Sequence, residues 1–148
     1  MAELRITVVE GQHAGDVLEA QVNPSEIELD RAVVWRQQPK KGPADLEFES
    51  AEPAQMAFEL LFDGAKTSVS VQPQLDKLRE FSSVDAVLHR PPKVRVSWGS
   101  GAGVMPTFDG VIESVAVRYT MFADSGVPLR ATADVKLTEA ANLRVHAP

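Results

Sequence analysis

The chain contains no cysteine. This absence excludes disulfide cross-links, thiolate metal ligands and cysteine nucleophiles, and it suits assembly inside the cell. Histidine is scarce as well: His13, His89 and His146 lie in separate predicted loops or in the tail. No two of them have the spacing that presents a pair of metal ligands on one helix or strand. We therefore expect no metal site.

Long apolar runs and basic clusters are also missing. No stretch approaches the roughly 18 consecutive apolar residues that a membrane helix requires. The N-terminus has no basic segment followed by an apolar run, so we expect no secretory signal and no membrane partner. The formal net charge is −6 and the densest basic cluster is the pair Lys40-Lys41, which argues against a nucleic-acid partner.

Patterns that indicate catalysis are absent too. Glu26 with Glu28, and Glu47 with Glu49, stand two residues apart in predicted strands, which is the ordinary spacing of a solvent-facing side. The glycine-rich segment 99–103 has neither a P-loop lysine nor a following helix. No serine stands in a nucleophile elbow. We expect no catalytic residue, no cofactor and no enzymatic activity, and we set aside the alternative of a hydrolase on a β scaffold.

Residues 108–137 form the clearest pattern that the chain does contain. Between 127 and 137 every second residue is apolar, so one face of this strand is buried and the other is wet. The preceding strand alternates less strictly, with Ile112, Ala116 and Phe122 on its less polar face. Residues 123–126 contain turn formers and a glycine, so the two strands are predicted to form a hairpin.

The rest of the chain supplies further short strands and one helix. Turn signals recur about every 8–12 residues, and Pro73 starts the one convincing helical segment, which extends to about residue 82. A further short strand is predicted at Val69 and Val71, and residues 37–45 read as an exposed loop. We predict an all-β fold with one helix, a barrel or sandwich, as one domain over residues 1–148 with 139–148 as a tail.

Six segments, taken in order, resemble the tube-type domain of contractile injection systems, which are phage-tail-like particles. They are VNPSEI (22–27), VWRQQ (34–38), FELLFD (58–63), PPKVRVSWG (91–99), FDGVIESV (108–115) and PLRA (128–131). The resemblance spans about residues 2–139. It implies the β-barrel architecture of phage tail tubes and of the type VI secretion tube.

The same resemblance implies a function and a set of partners. It suggests a structural ring of six copies that joins the central spike to the inner tube at the baseplate. Such a protein assembles in the bacterial cytoplasm and then becomes part of a particle that can be released. Longer relatives carry a C-terminal LysM module, and since the sequence stops at Pro148 we expect this module to be missing here.

Several residues receive roles in this ring. We expect Arg130, Thr132, Asp134 and Lys136 to face the lumen, because a passage should be wet and of mixed charge. The residues expected to contact partners are Ile112, Ala116, Phe122, Lys40 and Lys41, and the loop 37–45 is expected to reach an adjacent ring or the spike. The alternative function is a glycan- or peptidoglycan-binding module that uses Trp35 or Trp98 as a stacking surface.

Overall fold

The structure is a computed structural model that describes residues 3–38 and 45–145. Within these ranges the chain forms nine strands, one α-helix and a short 3-10 turn at Ala65–Thr67. The strands are β1 (Leu4–Val8), β2 (Val17–Glu19), β3 (Ile27–Asp30), β4 (Val33–Gln37), β5 (Leu46–Ala51), β6 (Gln55–Asp63), β7 (Val94–Trp98), β8 (Phe108–Phe122) and β9 (Pro128–Glu139), and the helix α1 is Gln72–Phe81. The prediction of an all-β fold with one helix is confirmed.

Seven strands form one antiparallel sheet, in the order β2-β1-β7-β8-β9-β6-β3. Its centre is the β8–β9 hairpin, the one predicted from residues 108–137. The N–H of Ala123 donates to the carbonyl of Val127 at 2.9 Å, and Gly126 takes a left-handed φ of 89° that glycine adopts without strain. β4 and β5 form a separate two-stranded hairpin, which we call the arm.

One face of the seven-stranded sheet carries the core. β9 buries every second residue from 129 to 137, and β6 does the same from 56 to 62. The helix covers this face with three buried side chains, Leu75, Leu78 and Phe81. Burying a side chain of this size contributes roughly 1.5–3 kcal/mol, so the alternation in the sequence determines which face turns inward.

One stretch of chain, residues 17–30, joins the two edges of the sheet. It starts as β2 against β1, and three residues later Val22 bridges to Leu61 of β6. Three extended residues span at most about 10 Å, so the sheet curls and β1 approaches β6 at this end. Gln21 lies in this stretch and bonds to the backbone of β6. Its Nε2 donates to the carbonyl of Asp63 at 2.6 Å, and its Oε1 accepts the N–H of Asp63 at 2.9 Å.

The helix begins and ends as predicted. Pro73 lies in its first turn, where a missing N–H costs nothing. The N–H of Ser82 returns to the carbonyls of Arg79 and Glu80 and ends the helix at Phe81. In the described ranges, no helix combines the length and the apolar character needed to cross a membrane.

The short strand predicted at Val69 and Val71 is wrong. The N–H of Val69 donates to the carbonyl of Gly64 at 3.0 Å, and the N–H of Val71 donates to that of Pro128 at 3.1 Å. A Cβ at position 64 would lie 2.0 Å from the carbonyl oxygen of Val69, so the turn closes only over a glycine. These valines therefore belong to a tight connection that leads into α1.

A bulge in β8 changes the predicted grouping of its side chains. Between Ile112 and Ser114 the partner on β9 advances by only one residue, which makes Glu113 an extra residue on β8. The bulge places Ile112 on the same core-facing side as Val115. Ala116 lies on the opposite side, paired with an outward-facing residue of β9. The prediction that Ile112 and Ala116 share a face is therefore wrong.

Candidate assembly surfaces

The face of the sheet opposite the core is polar along β6, β9 and β8. Arg130, Thr132, Asp134 and Lys136 lie together on this face, because they occupy the positions of β9 between its buried residues. Most of their neighbours on β6 and β8 are charged or small, as the pairing of the three strands brings Glu59, Asp63, Ser114, Ala116 and Arg118 beside them. Leu61 opposite Thr132 and Met121 opposite Arg130 are the apolar exceptions. The structure thus joins the four predicted residues on one mainly polar surface.

Arg118 is the centre of this surface. It donates to Asp134 of β9 at 2.8 Å and reaches across that strand to Glu59 of β6 at 3.0 Å. The hydrogen bond and the charge of Asp134 raise the pKa of Arg118 above its ordinary value. One guanidinium therefore ties three adjacent strands together and forms ion pairs with two carboxylates.

A second ion pair lies at the end of β6. Arg130 donates to Asp63 at 3.2 Å, and Asp63 also accepts the N–H of Ala65 at 3.0 Å. The hydrogen bond from Ala65 and the nearby charge of Arg130 hold the pKa of Asp63 below its ordinary value. Most charges on the face are therefore paired within the chain.

A groove of about 660 Å³ crosses the polar face. The segment that contains Glu26 and Glu28 forms one wall, and Glu59, Asp134 and Lys136 line the floor. Carboxylates outnumber the single lysine among these residues, so the groove is acidic on balance.

Every described carboxyl group whose pKa departs from its ordinary value has a lowered pKa. The pKa values of Glu10, Asp63, Asp85 and Asp109 lie below their ordinary values. A catalytic acid that works near neutral pH needs a raised pKa. The lowered values are typical of carboxylates held by arginines and backbone N–H groups, which is a structural role.

Besides the outer edge of β2, two strand edges of the sheet are free in the described part of the chain. β7 pairs with β8 only opposite residues 108–110. Pro91 and Pro92 precede β7, and proline cannot donate to a strand ladder, so β8 from Val111 onward is paired only with β9. At the other flank β3 is paired only with β6. The section β8-β9-β6-β3 is thus a four-stranded sheet with an open edge on each side.

The three apolar residues predicted for a subunit contact are not brought together. Ile112 is buried in the core at 7% exposure. Ala116 is exposed on the polar face beside the open edge of β8. Phe122 is exposed at the tip of β8, where its ring lies 5.9 Å from that of Tyr119. Ala116 and Phe122 remain available to a partner, whereas Ile112 is already packed.

The arm is exposed along both of its strands. Trp35 and Phe48 pair across it in a T-shaped contact at 5.7 Å, with Leu46 beside them on the same face. Arg36 bonds to Glu49 on the other face. The residues Lys40 and Lys41, predicted to contact partners, lie outside the described residues, as does most of the loop 37–45.

A second exposed apolar feature is the turn after α1. Asp85 is buried at 4% exposure and accepts N–H groups of Gln12 at 2.8 Å, Val87 at 2.8 Å and Leu88 at 3.1 Å. Burial acts to raise the pKa of Asp85, but these hydrogen bonds outweigh it and lower the pKa. Val84 and Val87 project outward from this clamped turn. Sequence reasoning missed Asp85, whose only local signal is the tendency of aspartate to bond N–H groups two and three residues on.

The histidines and tryptophans occupy different settings. The Nε2 atom of His13 lies 2.8 Å from Glu80 and its Nδ1 atom 3.6 Å from Asp16. Within the described ranges, no three His, Asp or Glu side chains are grouped as metal ligands. Trp98 is half-buried against the core, whereas Trp35 stands exposed on the arm.

The comparisons with known proteins agree with this architecture. Residues 2–147 match a family model described as contractile injection system tube protein. The match extends over nearly the whole chain and includes all six segments that carry the resemblance. A search of curated proteins found no match.

Proposed function

The chain belongs to the contractile injection system tube protein family, and on that premise we propose that six copies form a ring joining the central spike to the inner tube at the baseplate. The proposed partners are further copies of the chain, the spike, the inner tube protein and other baseplate proteins. The role is structural and not catalytic. In this proposal the protein assembles in the bacterial cytoplasm and leaves it as part of a phage-tail-like particle.

The observation that carries the ring is the pair of open edges on the four-stranded section β8-β9-β6-β3. An unpaired strand edge presents a row of N–H and C=O groups that another strand can satisfy. Here the two open edges lie on opposite flanks, so the β8 edge of one copy can pair with the β3 edge of the next. Such a head-to-tail contact closes into a ring when the rotation between copies is a whole fraction of a turn.

The polar face then becomes the wall of the passage. If six copies pair edge to edge, one face of the joined sheet points outward and the other inward. The face that bears Arg130, Thr132, Asp134 and Lys136 suits the inner position, because it is mainly polar and most of its charges are paired within each copy. The opposite face carries α1 and the core, which belong on the outside of such a ring.

Ala116 and Phe122 are the proposed contact residues along the seam. Ala116 is small and lies beside the open edge, so it permits close approach of a neighbouring strand. Phe122 offers an exposed ring at the end of the same edge. The loop 37–45 connects β4 to β5 in the sequence, and Lys40 and Lys41 within that loop are proposed to contact the adjacent ring or the spike.

Electron microscopy of the protein, produced alone and together with its spike and inner tube partners, tests the ring. The expected result is a closed six-fold ring at the junction of spike and tube. Phe122→Ser should abolish the ring, whereas Val145→Ser, at a comparably exposed position away from the open edges, should leave it intact. A complex that contains a single copy of the chain at this junction would overturn the proposal.

A glycan-binding module is the second candidate, and the exposed Trp35 is the observation that favours it. An aromatic ring that faces solvent can stack on a sugar. Retention of the protein on cell-wall sacculi, lost in Trp35→Ser and kept in Phe122→Ser, would support this candidate. Absence of retention in the unchanged protein would exclude it.

A further inference from the structure

A pocket lined by three cationic side chains lies between the residues that precede β7 and the segment that follows β9. Its volume is about 410 Å³, and Arg90, Lys93 and Arg144 line it together with one carboxylate, Glu10. The hydrogen bond from Arg90 lowers the pKa of Glu10, so this carboxylate is ionised at neutral pH. The pocket therefore carries a surplus of two positive charges, in a chain whose formal net charge is −6.

This surplus distinguishes the pocket within the described chain. In four further pockets the acidic side chains outnumber the basic ones. The described arginines outside the pocket each form an ion pair with at least one carboxylate. Within the described ranges, Lys93 and Arg144 form no ion pair, and Asp109 near Lys93 is held by Arg95 at 2.7 and 3.1 Å. Two cations without a carboxylate of their own thus meet in one cavity.

Glu10 holds Arg90 in a fixed position. Its Oε1 accepts the Nη1 of Arg90 at 2.6 Å and the backbone N–H of Lys93 at 2.9 Å. The same Nη1 donates to the carbonyl of Pro91 at 3.0 Å. The Arg90 side chain is only 18% exposed, and its Nε and Nη2 groups have no partner within the described chain. A guanidinium held in this way loses little entropy when it binds a ligand.

The opposite wall of the pocket comes from the segment after β9. The Nζ of Lys93 donates to the carbonyl of Ala141 at 3.3 Å, which leaves it further N–H donors. Asn142 and Arg144 follow in this segment, and both are exposed. Two guanidinium groups, an ammonium and an amide therefore line one cavity, and all of them donate hydrogen bonds.

We propose that this pocket binds a phosphate group, either as the free ion or as a phosphomonoester. Such a group has three terminal oxygens that accept hydrogen bonds and a charge of about −1.5 to −2 at pH 7, which matches the surplus of the pocket. A carboxylate carries a single charge and would leave part of that surplus uncompensated. Arginine and lysine are the side chains that proteins use to bind phosphate.

The size of the cavity and its position agree with this ligand. Cavities that hold small organic ligands range from about 300 to 1,000 Å³, so the pocket has room for the organic part of an ester. Its lining comes from three parts of the chain: Glu10 after β1, residues 90–93 before β7, and residues 141–144 after β9. A bound phosphate therefore holds the last of these segments against the other two.

Isothermal titration calorimetry at neutral pH and constant ionic strength tests the site with inorganic phosphate, glycerol phosphate and acetate. Inorganic phosphate should bind about tenfold more tightly than acetate, because its second charge allows a further ion pair. Glycerol phosphate that binds at least as tightly as the free ion identifies a phosphomonoester as the ligand, and weaker binding identifies the free ion. Equal affinity for acetate and phosphate, or no binding of either phosphate compound, would overturn the proposal.

Two charge-matched double variants test where the phosphate binds. Lys93→Gln combined with Arg144→Gln should weaken phosphate binding about tenfold, whereas Arg90 is kept because it pairs with Glu10. Arg5→Gln combined with Arg79→Gln removes the same number of positive charges from exposed ion pairs elsewhere, and should weaken binding less than about twofold. Equal weakening in the two proteins would refute the site, because phosphate would then respond only to total charge.

Hydrogen exchange of the unchanged protein, measured by mass spectrometry, gives the location without any variant. Phosphate should slow exchange in residues 140–144, since binding holds this segment in place. Exchange there that phosphate does not alter would contradict the proposal. The pocket contains no residue of β3 or of the free part of β8, so Phe122→Ser, the variant that tests the ring, should bind phosphate as the unchanged protein does. Failure of the ring and failure of the phosphate site are therefore distinguishable.

Discussion

Glu59 and Asp134 lie directly opposite each other in the pairing of β6 with β9. Two like charges at such a position repel, and the sheet tolerates them because Arg118 of β8 bonds to both. One arginine on β8 therefore offsets the repulsion between a carboxylate of β6 and a carboxylate of β9.

Replacing Arg118 should destabilise the sheet through this carboxylate pair. Arg118→Gln should lower the midpoint of thermal unfolding at pH 7 and low salt, and added salt should reduce the difference because it screens the repulsion. Arg36→Gln, which breaks an ion pair on the exposed arm, is the matched control and should leave the midpoint almost unchanged. Adding Asp134→Asn to the Arg118→Gln protein should restore part of the lost midpoint. If it does not, repulsion between Glu59 and Asp134 is not the cause of the destabilisation.

The packing of α1 onto the sheet predicts a large effect of truncation. Leu78 is fully buried, so Leu78→Ala should lower the free energy of unfolding by about 2–5 kcal/mol. Leu29→Ala removes the same atoms from a side chain that is half exposed, so it should change the free energy of unfolding by less than about 0.5 kcal/mol. Urea denaturation measures both. Similar losses in the two variants would show that α1 contributes little to the core.

Gly110 should not accept a side chain. A Cβ at this position would lie 2.1 Å from the carbonyl oxygen of Thr138, which is backbone and cannot move without breaking the β8–β9 ladder. Gly110→Ala should lower the free energy of unfolding by about 1–3 kcal/mol. Ser114→Ala, at an exposed position of the same strand, should change it by less than about 0.5 kcal/mol. An unaltered denaturation midpoint in Gly110→Ala would contradict the close approach.

Asp85 should make stability depend on pH in the acid range. Its pKa lies below the ordinary value of 3.8, so the unfolded chain binds a proton more readily than the folded one. The stabilisation is fully present above the unfolded pKa and is lost as the pH falls through the lowered folded pKa. Asp85→Asn cannot accept the same three N–H groups, so it should be less stable at pH 7 and should lose less stability on acidification.

Urea midpoints measured for both proteins at neutral pH and at several points below about pH 4 check this prediction. Asp16→Asn is the matched control, since it removes an exposed carboxylate from the loop next to Asp85. Parallel pH profiles for Asp85→Asn and the unchanged protein would refute the assignment.

The sequence predicted those parts of the fold in which local pattern and burial agree. The alternation of β9 and the β8–β9 hairpin follow from periodicity and turn residues, and the start of α1 follows from Pro73. Periodicity did not predict which side chains of β8 face the core, because both faces of this strand carry apolar residues. The bulge at Glu113 then changes which residues share a face without leaving a distinct signal.

The features that escaped prediction depend on residues distant in the chain. Asp85 bonds to the N–H of Gln12, and Gln21 bonds to the backbone of Asp63. Neither partner can be predicted from spacing, because the two residues of each contact stand 73 and 42 positions apart in the sequence. The same distinction holds for the candidate site. The row of polar residues on β9 could be predicted from local pattern, whereas the open edges depend on the order of the strands in the sheet.

Pro91 and Pro92 have a consequence for the whole molecule. They end the ladder between β7 and β8, so β8 has no neighbour on that side from Val111 onward. Ordinary donors at these two positions could let β7 continue beside β8 for two more residues. The prolines therefore set the point on β8 from which a strand of another copy, if the proposed ring forms, could begin its own ladder.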